Sequence, residues 1–313
     1  MKGFVFKRLM SALPVIPIVS VLIFLLIHAG GSDPARILAG DTATDAAVES
    51  LRQHLALDRP LSEQFLAWVG GLVQGDFGTS IFYQRPVSDI VMDRAGATIS
   101  LALSVITLSV LIGVPAGAIA AMRLGERTDK AVTFLAAMGF SLPIFLVAYS
   151  LVYVVSLKLG WLPAQGYSPP GNGLWSFARS LMLPTLTLSI FYIALFARVS
   201  RATVSDMLKQ DFVRTAAAKG ASPRRILFVH AMRTSAVPVV TLIGTTFAAL
   251  LGGVVVTESL FNIPGLGRLV TEAILKRDFP IIQGLVLMTS ILYVLINLCI
   301  DLICAALDPR LSR

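Results

Sequence analysis

Apolar residues in this chain gather in long unbroken runs rather than at the three-to-four or two-residue spacing of a protein that buries one face of each element. The first run, 9–29, follows Lys2, Lys7 and Arg8 and carries no formal charge. At about 1.5 Å per residue it is long enough to cross roughly 30 Å of hydrocarbon. Comparable runs occupy 98–122, 131–157, 181–197, 236–256 and 280–307. The pattern predicts an all-α integral membrane protein with six transmembrane helices, the third kinked at Pro143. A cleaved signal peptide is the rival reading of the first run. The run exceeds the usual apolar length of such peptides, and Ile27-His28-Ala29 is a poor small-x-small cleavage site, so we read it as a retained span. Between the runs lie a polar segment, 30–97, a Gly/Pro-rich loop, 159–179, a basic segment, 198–235, and a connector, 257–279. Segment 30–97 reads as a folded external cap with a short helical pattern at Ala46–Leu57 and a turn-rich piece, GDFGTS, at Gly75–Ser80.

Composition agrees with the runs: 56% of the 313 residues are hydrophobic and 14% charged, too little polar surface to cover a soluble globule of this size. A net charge of +8 in such a chain records topology rather than nucleic-acid binding, for which the interleaved aromatic and basic positions are missing. With an internal N-terminus, 16 of the 26 Lys and Arg and only 6 of the 18 Asp and Glu fall inside. Both termini, including Arg310 and Arg313 in the tail, are therefore expected in the cytoplasm.

Enzymatic signals are absent from the sequence. There is no GxxxxGK[ST] loop and no nucleophile motif, and His28, His54 and His230 fall in separate segments, so neither a phosphate cradle, a metal nor another cofactor is expected on this chain. Cys299 and Cys304 lack a CxxC spacing and read as reduced thiols in the last span. Gly113 and Gly117 form a GxxxG suited to close helix packing. Asn297 reads as an interhelical hydrogen-bonding group and Asp301 as the inner end of the last span.

Two polar stretches hold the candidate functional residues. In Asp211–Pro238, Phe212, Val213, Ala216 and Ala217 alternate with Arg214 and Lys219 as on a short amphipathic helix. Gly220 follows where a left-handed cap belongs, Ser222 can cap a second helix, and Pro223 sits at its first position. The reading is helix, glycine turn, helix, held between two spans as a docking surface. In the connector, Glu258 and Asp278 are either functional charges at membrane depth or interfacial charges reaching water. With Phe261 and Asn262 they are our candidates for the outer gate of a pathway.

The stretch RTAAAKGASPRRILFVHAMR resembles the cytoplasmic EAA-type loop of the membrane subunits of binding-protein-dependent ABC importers, in their oligopeptide, dipeptide and nickel permease branch. The likeness extends to the basic start and first span, to LDRPLSEQF and GDFGTS in the cap, and to ESLFNIPGLGRLVTEAILKRDFP in the connector. Two departures from the general loop, Arg214 at the position of its glutamate and Arg233 at that of its proline, are typical of that branch. The resemblance implies a type I importer permease of six spans in a bacterial inner membrane, paired with a homologous permease subunit. It also implies two cytoplasmic ATPase subunits that carry ATP and Mg, an external solute-binding protein, and contact with membrane lipid. Phe212, Ala216 and Ala217 would fill a groove on the ATPase, with Arg214, Thr215, Lys219, Ser222, Pro223, Arg224 and Arg225 around them. The competing class is a self-contained channel or secondary transporter with a regulatory loop, against which stands the lack of an inverted repeat or of paired charges in the spans.

Overall fold

The computed structural model describes residue 8, residue 10, and residues 13–29, 34–39, 43–54 and 58–307. Lys2, Lys7, Asp33, Asp41, Arg310 and Arg313 of the sequence reading lie outside the described residues. The chain is helical, and among the described residues the extended pairing is a single bridge between Thr79 and Pro86.

Helix α1 spans Val15–Ala29. The polar segment after it contributes α2 (Pro34–Ala39), α3 (Asp45–His54) and α4 (Leu61–Val73). Phe65 and Trp68 of α4 stack against Phe24 of α1, with ring centroids 5.2 and 5.8 Å away, so this part of the cap packs on the first apolar run. The long helix α5 runs from Val87 to Met122 and starts well ahead of the second apolar run. Its first turns are helical because Val87, Ile90 and Val91 have their own core to enter, made with Leu269 of the connector and Ile281 and Leu285 beyond it.

Helix α6 (Arg127–Ser141) and α7 (Ile144–Lys158), whose second half widens into π-type turns, are bent by 96° about Leu142 and Pro143. This is a break rather than the expected kink. Leu142 takes an extended ψ of 123°, the conformation that a following proline ring imposes on its predecessor. Helix α8 (Leu174–Leu208) returns alongside α5, and the two form the most extensive helix contact among the described residues. Small residues permit it: a Cβ on Gly113 would sit 2.7 Å from the Ile193 carbonyl oxygen, and one on Gly117 2.8 Å from the Arg201 nitrogen. The GxxxG therefore serves packing within the chain.

Helices α9 (Asp211–Ala218) and α10 (Pro223–Thr234) form the basic unit. After a 58° bend at Ser235 comes α11 (Ala236–Gly253), followed by the short α12 (Val255–Leu260) and α13 (Leu266–Lys276), and finally α14 (Phe279–Leu307). Among the described residues, α5, α8 and α14 are each able by length and composition to cross a membrane, and the bent pairs α6–α7 and α10–α11 raise the count to five if each is one span; α1 is a shorter apolar helix. Arg8 pairs with Asp301 at 2.9 Å, which brings the start of the chain to the far end of α14.

Candidate functional site

The two candidate stretches lie at opposite ends of α5. Its last turns, at Ala118 and Ala121, join Val204 of α8 and Leu227 and Ala231 of α10 in a small core that seats the basic unit. Its first turns hold the connector.

In the basic unit, α9 ends in a glycine cap. The Gly220 amide bonds the Ala217 carbonyl at 2.9 Å and the Ala221 amide bonds the Ala216 carbonyl at 3.1 Å, with Gly220 at a φ of 81°. This pair of bonds turns the chain back on itself through a left-handed backbone that favours a residue without a Cβ. Ser222 then accepts from the Arg225 amide at 3.4 Å, and Pro223 opens α10. Thr215 bonds the Asp211 carbonyl at 2.9 Å, and Arg214 faces Asp211 at 3.5 Å on the same helix. Val213 is the buried anchor of α9, while Phe212 stays 42% exposed, Ala217 is exposed and Ala216 half-buried. Lys219, Arg224 and Arg225 are exposed around them. The sequence reading missed Phe228, which is 63% exposed on the part of α10 that packs against α9. Its signal was a lone aromatic between buried Leu227 and exposed Val229 in a unit otherwise read for its charges.

The same end of the bundle holds a second feature missed from sequence. Asp129 receives both Nε and Nη2 of Arg201, the latter at 2.9 Å, and the Gly125 amide at 2.9 Å. It ties the turn before α6 to α8, ten residues ahead of Asp211 at the start of α9. An acid in a loop otherwise dominated by Arg123, Arg127 and Lys130 was the available hint.

The connector folds around two buried carboxylates. Glu258 is 0% exposed: Thr98 of α5 donates to Oε1 at 2.6 Å, the Arg268 amide donates to Oε2 at 3.0 Å, and the Gly267 amide adds a third bond. Thr98 in turn accepts from the Leu266 amide at 2.8 Å. Burial pushes the Glu258 carboxyl above its ordinary range, with these donors pulling the other way. Asp278, 1% exposed, takes the Ser80 hydroxyl at 2.6 Å and the Phe82 amide at 3.0 Å on Oδ2, so it clasps the cap turn that follows GDFGTS. The neighbouring Tyr83 donates to Glu272 at 3.0 Å, and its own burial, reinforced by that carboxylate, raises its pKa. Phe261 is 2% exposed, and its carbonyl accepts from Gly166 at 2.8 Å, joining the 159–179 loop to the connector. Asn262, at a φ of 54°, is exposed and accepts from Arg268. Of the four gate candidates, Asn262 alone reaches the surface of this chain; the other three are internal ties.

Helix α11 presents a different face. Thr241, Thr245, Ala249 and Gly252 are exposed along one stripe, at helical spacing, with buried Thr246 and Leu250 on the far side of the helix. Exposed positions on α6 and α7 are instead large and apolar, among them Phe134, Leu135, Phe145, Leu146 and Leu157. No acidic, histidine or cysteine cluster fit to hold a metal occurs among the described residues.

Two family descriptions match the chain: "binding-protein-dependent transport system inner membrane component" over residues 113–313, and the N-terminal part of the binding-protein-dependent transport system membrane component over 1–102. The chain is 44% identical over 308 residues to the probable peptide ABC transporter permease protein y4tP of Sinorhizobium fredii, covering 98% of each chain. It is 40% identical over 311 residues to the glutathione transport system permease protein GsiC of Escherichia coli strain K12, covering 99% of each. Among solved structures, a chain of the MetNI methionine ABC transporter in an inward-facing conformation superposes with a TM-score of 0.58 at 15% identity, over 70% of this chain and 96% of that one. At that identity the likeness concerns the fold, the all-helical type I ABC importer permease fold.

Proposed function

Because the chain belongs to the family of binding-protein-dependent transport system inner membrane components, we propose that it forms one half of the translocation pathway of an ATP-driven importer for peptides or glutathione-like solutes. The observation that carries this reading is the basic unit. Its two short helices are anchored through Val213, Leu227 and Ala231 and present Phe212 and Phe228 outward beside a fixed glycine turn. A motor on another chain can move a membrane pathway only through a stiff element that both contact, and this unit is stiff, apolar at its tip and seated on the ends of α5 and α8. Phe212, Ala216, Ala217 and Phe228 then fill the groove of an ATPase subunit, with Arg214, Thr215, Lys219, Ser222, Pro223, Arg224 and Arg225 at its rim. ATP and Mg belong to those two subunits.

The six crossings are α1, α5, α6–α7, α8, α10–α11 and α14, with both termini and the basic unit in the cytoplasm of a bacterial inner membrane. The Arg8–Asp301 pair and the surplus of Lys and Arg on that side support this orientation. A homologous permease subunit faces α11, whose stripe of small and hydroxyl side chains suits a pathway wall better than a lipid surface. Glu258, Phe261, Asn262 and Asp278 shape the outer gate by holding the connector and the cap turn together, and an external solute-binding protein delivers substrate above it.

The test is reconstitution. Proteoliposomes holding the chain with its permease partner and ATPases take up labelled di- or tripeptide or glutathione only with ATP and the binding protein. Gly220→Pro, which cannot adopt a positive φ, abolishes substrate-stimulated ATP hydrolysis. Uptake by the chain alone without ATP would overturn the reading in favour of a channel or secondary transporter.

A further inference from the structure

Between α6 and α8 lies a groove of about 220 Å³ that neither the packing nor the proposed coupling uses. Val132, Ala136, Ala137 and Phe140 of α6 and Ala197 of α8 form its walls, and Phe140 leans edge-on against Phe191 at 5.1 Å. Thr133, Arg198 and Arg201 complete it. The two helices run antiparallel here, Asp129 meeting Arg201 at one end and Gly139 packing on Ala194 toward the other. The groove is therefore polar at the end near the basic unit and apolar along its length. Its two arginines differ. Arg201 is spent on Asp129, whose side chain is 6% exposed, whereas Arg198 is exposed and makes no ion pair among the described residues. Lys130 and Arg127, both exposed, lie one and two turns before Thr133 on α6 and add positive charge at the same end. On the outward side of α6, Phe134, Leu135 and Met138 are 64, 65 and 45% exposed, a surface made for hydrocarbon.

An apolar trough that opens toward acyl chains and ends in uncompensated positive charge has the chemistry of one ligand, an amphiphile with an anionic head. We propose that this groove binds an anionic phospholipid of the leaflet next to the basic unit, its phosphate on Arg198 and an acyl chain along Val132, Ala136 and Phe140. The leaflet assignment rests on the cytoplasmic orientation proposed above. The bound lipid wedges α6 against α8 beside the Asp129–Arg201 tie, ten residues before α9.

Full-length chain purified in detergent is titrated with phosphatidylglycerol and with phosphatidylcholine and read by native mass spectrometry, and a photoactivatable phosphatidylglycerol maps the contact. The expectation is preferential retention of phosphatidylglycerol, with crosslinks confined to 132–140 and 197–201. Arg198→Gln should lower that retention about fivefold, the usual worth of one basic residue at a lipid surface, leave phosphatidylcholine unchanged, and be rescued by Arg198→Lys. Ala137→Phe fills the trough with Arg198 intact and lowers phosphatidylglycerol retention as well. Equal retention of the two lipids, an unaffected Arg198→Gln, or crosslinks elsewhere would overturn the proposal. So would displacement of the lipid by inorganic phosphate alone, which marks a free-anion site, or crosslinking of position 137 to a second protein chain in native membranes. Labelling of a cysteine at 198 only from the face opposite the ATPases would overturn the orientation, while the loss in Arg198→Gln would still support the lipid site.

Discussion

Replacing Glu258 tests whether the connector is held by a buried acceptor or gated by an exposed charge. In Glu258→Ala the Thr98 hydroxyl and the Arg268 and Gly267 amides lose the buried acceptor they share. Each orphaned donor costs about 1–3 kcal/mol. Relief of the carboxylate's own desolvation offsets part of this, leaving a net loss of about 3–5 kcal/mol. In Glu258→Gln the amide oxygen still accepts the two backbone N–H groups, and the side-chain amide NH2 donates to the Thr98 hydroxyl oxygen, so the loss stays within about 1 kcal/mol. The assay is thermal unfolding of the detergent-solubilised chain, followed by maleimide labelling of Cys304, which is 7% exposed, in a Cys299→Ser background. Glu258→Ala should fall by on the order of 10 °C and Glu258→Gln by a few degrees at most. Because burial raises the Glu258 pKa in the folded chain, the folded state binds the proton more tightly than the unfolded one. Its contribution is fully present below the ordinary glutamate value of 4.5 and is lost as pH rises through the folded pKa. Glu258→Gln removes that slope. Wild-type unfolding by Glu258→Ala, or damage by Glu258→Gln equal to it, refutes the reasoning.

Three further outcomes follow from the same geometry. Truncating Phe212 and Phe228 to Ala together should weaken co-purification with the ATPase subunits by about 2 kcal/mol or more, as for interfacial aromatic anchors, while the chain's unfolding temperature holds because both side chains are exposed. Asp278→Ala frees the Ser80–Tyr83 turn and should speed chymotryptic cleavage after Phe82 and Tyr83, with Asp278→Asn intermediate since it keeps an acceptor for the Phe82 amide; unchanged cleavage would remove Asp278 as the clasp. Cysteines at Thr241 and Thr245 should react with a charged methanethiosulfonate reagent in the assembled transporter, and one at Leu250 should not; protection of all three would remove α11 from the pathway wall.

What the residues alone disclosed and what they withheld divide along sequence distance. Gly220, Ser222 and Pro223 act within a single turn: a backbone angle that only glycine takes freely, an oxygen in reach of an amide three residues on, a ring with no N–H to satisfy. Such signals are complete in the local sequence, and the structure contains that turn as the residues imply it. Pro143 was half legible, because a proline forbids the continuous helix but leaves the bend angle to whatever each half packs against. The carboxylates of the connector are the opposite case. The partner of Glu258 lies 160 residues away on α5, and that of Asp278 lies 198 residues away in the cap. An acid near a span end reads alike whether it turns to water or to donors. One clue was nonetheless local. A Cβ on Gly265 would collide with the Glu258 carboxylate, and one on Gly267 would lie 3.1 Å from its Oε2. The Gly-Leu-Gly after Asn262-Ile263-Pro264 therefore brings bare backbone amides up to an anion with no side chain between them. A glycine pair a few residues beyond a buried-run acid is the pattern by which an internally satisfied carboxylate can be told from one that faces the pathway.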